Sequence, residues 1–147
     1  MKLFRKLFHT KETCAYRKMH RRHRRELIKL AKKDAEWDWE FLHTLVITKV
    51  RHMYEYYEAG NNVWQVDEER LKTVAELKHV LDLQEELDGL FDKYHPEITA
   101  QFTEDGKLRI IEDEDSERRS DEMFERKDEL YKEIYCYIAE HLRGWWD

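Results

Sequence analysis

The sequence predicts an all-α fold: a helical bundle of about four helices with one loop or short hairpin inserted. Three observations carry this. The 147 residues include one proline and four glycines, too few for the turns that sheets demand. Charged and hydrophobic residues each make up 41% of the chain, the balance of helices with one stripe turned inward and another outward. Apolar residues also recur at three- and four-residue steps through most of the length. Aromatic residues, at 13%, argue against disorder, and the length suits a single helical domain over 1–147.

The first helix is expected from Lys11 to Lys33, a basic stretch without proline or glycine in which Leu27, Leu30 and Ala31 form a short apolar stripe. A second starts at Asp34 or Asp38 and carries Trp39, Leu42, Val46, Met53 and Tyr57 at helical spacing, with Leu45 and Val50 beside them. Gly60, followed by Asn61 and Asn62, ends it. A third begins near Asp67, where Glu68 and Glu69 suit the positive end of the helix dipole. It carries Val74, Leu77, Leu81, Leu87, Leu90, Phe91 and Tyr94, and Pro96 stops it. The pattern then breaks over 97–120. Thr99 to Phe102 and Leu108 to Ile111 flank an Asp105-Gly106 turn signal, so a loop or small hairpin precedes the acidic run Glu112 to Asp115. A last helix runs from Ser120 to the end, with Met123, Leu130, Ile134, Ile138, Leu142 and Trp145 on one face. No internal repeat is apparent.

Charge is divided along the chain. Residues 1–33 hold 13 Lys and Arg against two acids, a net of +11, whereas the remaining 114 hold 14 against 31, a net of −17. The densest cationic stretch gives the candidate anion-binding set Arg17, His20, Arg21, Arg22, His23, Arg24, Arg25 and Lys29, since guanidinium forks match phosphate oxygens. A phosphate-bearing small molecule or a nucleic acid is the chemically sensible ligand, with Trp or Tyr side chains available for stacking. The competing expectation is that this helix lies on the acidic remainder of the chain and its charges are balanced internally. An acidic body also repels polynucleotide at long range, which favours a compact ligand or a small nucleic-acid footprint over wrapping around duplex DNA.

Other features point to partners. Leu3, Phe4, Leu7 and Phe8 interleave with Lys2, Arg5, Lys6 and Lys11 as a short amphipathic segment suited to docking on the bundle, on another subunit or weakly on a membrane surface. Two adjacent tryptophans cannot point into one core, so Phe4, Phe8, Trp145 and Trp146 are the partner-binding candidates, and a homo-oligomer or a host-protein complex is expected. No apolar run is long enough to span a bilayer, so no stable membrane insertion and a cytoplasmic location are expected. Cys14 and Cys136 read as reduced thiols, the latter in the core between Tyr135 and Tyr137.

Glu40 with His43 and Glu76 with His79 have the Glu-x-x-His spacing of di-iron bundles, but both histidines sit off the main apolar stripes and such a site also needs inward Glu from two other helices. Glu85, Glu86, Asp88 and Asp92 lack the spacing of a magnesium-dependent nucleotide pyrophosphatase. No nucleophile stands in a recognisable setting and no glycine-rich phosphate loop occurs, so neither a cofactor nor an enzyme is expected.

The segment Trp37-Asp38-Trp39-Glu40-Phe41-Leu42, followed by Lys49, Met53 and Tyr57, and the ending His141-Leu142-Arg143-Gly144-Trp145-Trp146-Asp147 resemble a family of small bacteriophage-encoded helical proteins. The resemblance covers residues 35–94 and the C-terminal helix. It implies a phage origin, a bacterial host cytoplasm and a helical fold, and it assigns no functional residues. Small phage proteins often occupy a host-defence protein or its nucleotide messenger, so an anti-defence binding role is expected by analogy. The leading expectation is thus a non-enzymatic protein recognising a phosphate-bearing anion through its basic helix. The alternatives are a protein-interaction module and a metal-dependent helical enzyme.

Overall fold

The computed structural model describes residues 11–32, 39–60, 67–95, 99–111 and 114–145, with side chains for all of these except 11–13, 99–102 and 108–111. Among them are helices α1 (Lys11–Ala31), α2 (Trp39–Glu58), α3 (Asp67–Asp88), α4 (Leu90–Tyr94) and α5 (Glu114–His141), and one hairpin of β1 (Thr99–Phe102) and β2 (Leu108–Ile111). The fold class is all-α, as the composition predicts. The chain forms two compact units, Met1–Leu81 and Asp82–Asp147, and the boundary between them falls inside α3.

In the first unit α1 and α2 pack against each other antiparallel, His23 meeting Glu55 and Glu26 meeting His52. Met19, His23, Glu26, Leu27 and Leu30 are the partly buried side of α1, and its other described side chains are mostly exposed. On α2 the apolar stripe buries Val50, Met53 and Tyr57. Trp39 and Leu42, expected on that stripe, are half exposed at 50% and 51%. Both lie on the side of α2 away from His52 and Glu55, the residues that meet α1. His43, expected off the stripe, is buried, with its ring tilted against Trp39 at 5.6 Å.

Helix α2 ends where Gly60 adopts φ +68°, a left-handed conformation that costs glycine nothing, and its amide donates to the Tyr57 carbonyl at 3.0 Å. The same carbonyl accepts from Arg70 Nη1 on α3 at 3.0 Å, which satisfies a group that the helix end leaves open. Asp67, Glu68 and Glu69 form the first turn of α3, and Thr73, Leu77 and Val80 are its buried residues in this unit.

In the second unit the run expected to continue to Pro96 is interrupted at Gly89. Leu87 and Leu90 are buried on either side of the break, whereas Phe91, expected in the core, is 60% exposed. The short α4 closes at His95, which takes φ 42° and donates to the Phe91 carbonyl at 2.9 Å. A residue before proline resists the right-handed helical region, so the helix stops there. The hairpin forms on the expected segments, pairing Thr99 with Ile111 and Phe102 with Leu108. Its loop turns through Gly106 at φ +77° and is closed by Thr103, whose amide donates to the Lys107 carbonyl at 2.8 Å.

Helix α5 begins at Glu114, not at Ser120. Of the acidic run expected in a loop, Glu114 and Asp115 lie in its first turn, where with Glu117 they meet the positive end of the dipole, and Glu112 and Asp113 lie outside the described residues. Leu130, Ile134 and Ile138 are buried at helical spacing, and Met123 is only partly buried. The helix ends at His141, so Leu142, 43% exposed, leaves the face expected of it, while Trp145 is fully buried. Cys136 is exposed, not a core thiol, because a step of two residues from Ile134 leads away from the buried face.

Ile134→Ala should lower unfolding free energy by about 2–4 kcal/mol, the cost of a cavity in a filled site. Cys136→Ala should stay within about 0.5 kcal/mol of the parent. Urea titration of both variants checks the orientation of α5.

Candidate functional site

Helices α1 and α2 share a five-residue string, Arg22-His23-Arg24-Arg25-Glu26 and Arg51-His52-Met53-Tyr54-Glu55. A spacing of three places each His and its Glu one turn apart on one helix face. Because the helices run antiparallel, the two strings cross. His23 Nε2 lies 2.7 Å from Glu55, and His52 Nε2 lies 2.9 Å from Glu26. Arg22 pairs with Glu55 and Arg51 with Glu26, giving each carboxylate one imidazole and one guanidinium from the opposite helix. Between these halves the rings of His23 and His52 stack with centroids 3.9 Å apart and planes 6° from parallel. The arrangement has an approximate two-fold axis through the stack.

The chemistry sets the protons. An ionised carboxylate only accepts, so each Nε2 carries the hydrogen and donates it. The His52 hydrogen bond, with Arg51 and the His52 charge in support, holds Glu26 below the usual carboxylate range against the opposing effect of burial. Burial pushes Glu55 upward, but the His23 hydrogen bond and the charges of Arg22, His23 and His52 together bring it below that range. His52 is buried, and its burial, with the neighbouring charges of His23 and Arg51, holds it below the ordinary histidine value despite the Glu26 bond.

This crossed clamp determines which cations point outward. Arg22 and His23, two of the candidate anion-binding residues, are committed to Glu55. His20, Arg21, Arg24, Arg25 and Lys29 are exposed, as are Arg17, Lys18 and Lys32. The outward face of α1 thus carries six Lys and Arg, with Lys32 just past the helix end, over an arc of about 140° and a length of about 22 Å. Where the inner side ends, Tyr16 lies 6.0 Å from the His20 ring and meets Tyr56 edge-on at 5.7 Å. Of the two expectations for the basic helix, internal balance describes its inner edge and solvent exposure its outer face.

The chain matches no family model, no curated protein and no solved structure.

Trp145 is enclosed by its own chain, so it offers no exposed indole as a partner anchor; Phe4, Phe8 and Trp146 lie outside the described residues. The Glu-x-x-His residues differ in exposure. Glu40 is exposed while His43 is buried, and Glu76 lies 3.8 Å from Lys72 while His79 is exposed. Among the described residues no group of three His, Cys, Asp or Glu side chains is arranged to hold a metal ion. Nor is any described helix long and apolar enough to cross a membrane.

Sequence reasoning missed His52, Glu26, Arg51 and Glu55 as a unit. The signal was the repeated Arg-His-x-x-Glu, a repeat too short to register as a structural module.

Because the folded state disfavours a proton on His52, the unfolded chain binds that proton first as pH falls through about 6.5, and stability declines from there downward. Glu26 and Glu55 add a second decline below about 4.3, where the unfolded carboxylates protonate before the folded ones. Urea midpoints should therefore fall from pH 7.5 to pH 5.5, and His52→Gln should flatten that slope. An unchanged slope would remove His52 as its source.

Proposed function

We propose that this protein is a non-enzymatic binding protein that recognises a phosphate-bearing anion through the outward face of α1. One arrangement supports it: the clamp with α2 absorbs Arg22 and His23 and leaves six other Lys and Arg side chains of the same helix exposed. Arg21, Arg24 and Arg25 on that face stand exposed, whereas Arg22 and Arg51 are turned toward carboxylates. Arg21, Arg24 and Arg25 lie within one turn of each other, close enough for their forks to share a phosphate or bridge neighbouring ones. The resemblance to phage proteins sets this in an infected bacterial cell, where a nucleotide signal or nucleic acid of the host is the target.

Arg22 belongs to the fold in this proposal, so the decisive variant leaves it intact. Replacing Arg21, Arg24 and Arg25 by Gln should weaken binding of a labelled mixed-sequence oligonucleotide by at least about 30-fold in low salt, with the far-ultraviolet circular dichroism unchanged. Equal affinity in the folded triple variant would overturn the assignment. Native mass spectrometry of freshly purified protein, with its ultraviolet absorbance ratio, reports whether a nucleotide-like ligand co-purifies and on how many subunits.

A second reading, a protein-interaction module, draws support from Trp39 and Leu42, which stand half exposed one turn apart on α2. If this patch joins subunits, Trp39→Gln with Leu42→Gln should convert a concentration-dependent oligomer into a monomer in sedimentation. A monomeric parent would count against it.

A further inference from the structure

We infer that the anion is duplex DNA and that α1 lies along its major groove, an inference that rests on the anion-binding proposal above. The outward face of α1 is organised as a seam with two flanks. Cys14, Arg21 and Ile28 recur every seven residues along its middle, all exposed, Ile28 to 45%. Arg17 and Arg24 line one side of the seam and Lys18, Arg25 and Lys29 the other, while Lys32 continues the middle row. Two rows of cations about 100° apart around the helix suit a ligand whose phosphates lie on both sides of it.

A groove between two strands has that shape. With side chains an α-helix is about 10–12 Å across, and the B-form major groove is about 12 Å wide, so the two fit. The A-form major groove of duplex RNA is deep and narrow and does not admit the helix. A mononucleotide could meet cations on only one or two turns and would leave the rest of the row unused. Single strands gain much of their affinity by stacking bases on aromatic rings. The outward face has none, since Tyr16 is turned toward Tyr56 on α2.

The seam residues have matching chemistry for the groove floor. A fork such as that of Arg21 suits the O6 and N7 acceptors of guanine, and an apolar side chain such as Ile28 suits the methyl group of thymine. The flanking cations would hold the phosphates of the two strands and set register without reading sequence.

The test uses the full chain and fluorescein-labelled duplex DNA of about two helical turns, with the same sequence as duplex RNA and as single-stranded DNA. Anisotropy should show the DNA duplex bound roughly ten-fold more tightly than either competitor, with log K falling against log salt at a slope of about −4 to −5 between about 0.05 and 0.2 M. Arg24→Gln with Arg25→Gln should reduce that slope by about two, and Ile28→Ser should leave it unchanged while narrowing the preference between duplex sequences. Equal binding of duplex RNA or single strands, or displacement of the DNA by inorganic pyrophosphate at comparable affinity, would overturn groove docking and leave the anion-binding proposal standing. Failure of every phosphate ligand to bind would end both.

Discussion

The crossed pairing of Arg22, His23 and Glu26 with Arg51, His52 and Glu55 is the constraint on which the rest of the first unit depends. Taken alone, α1 is a poor helix for its charge. Arg21, Arg25 and Lys29 follow one another at four-residue steps, and each like-charge pair at that spacing costs a few tenths of a kcal/mol. Leu27 and Leu30 are too few to offset this by burial. The helix needs contacts from α2, and the carboxylates of Glu26 and Glu55 provide them where the two strings meet.

Energy is not the main product of the clamp. Arg22 is 63% exposed and Arg51 46%, so their ion pairs contribute about 0–1 kcal/mol each once solvent screening is allowed for. What the geometry enforces is register. His52 is buried, and a one-turn slip of α1 along α2 would part both imidazoles from both carboxylates. A buried donor without a partner costs about 1–3 kcal/mol, a cost that a slip would incur at His52 and, to a smaller extent, at the partly buried His23. Slipped pairings are therefore disfavoured more strongly than the correct one is favoured, which is how buried polar groups select one packing among several.

The fold was legible wherever local chemistry and burial agreed. Gly60 stops α2, the Asp105-Gly106 signal closes the hairpin on the expected residues, and Leu130, Ile134 and Ile138 face inward. It was illegible where neighbours decide. Trp39 and Leu42 have the right spacing for a core, yet spacing does not say which part of a stripe a neighbour covers. The Glu112 to Asp115 run looked like a loop because acids are usually solvated, yet the dipole at a helix start stabilises such a run from Glu114 onward. The site was half legible. A count of charges identifies the basic helix, but it cannot sort Arg22 from Arg21, since that depends on which side of α1 meets α2. His52 and Glu55 could not be found by apolar periodicity at all, because α2 buries an apolar stripe on one side and this polar set on roughly the opposite one.

The division of charge along the chain then bears on how any polyanion would be held. Beyond residue 33 the chain has a net of −17, a field that opposes approach from a distance. At physiological ionic strength the Debye length is about 8 Å, so a phosphate touching the outward face of α1 feels its immediate cations far more than acids farther off. In dilute salt the Debye length grows toward about 30 Å and the acids regain their reach. Affinity should accordingly stop rising, or fall, at the lowest ionic strengths, where a uniformly basic protein would bind tighter still. The acidic remainder would thereby set an electrostatic limit on affinity that a uniformly basic chain lacks.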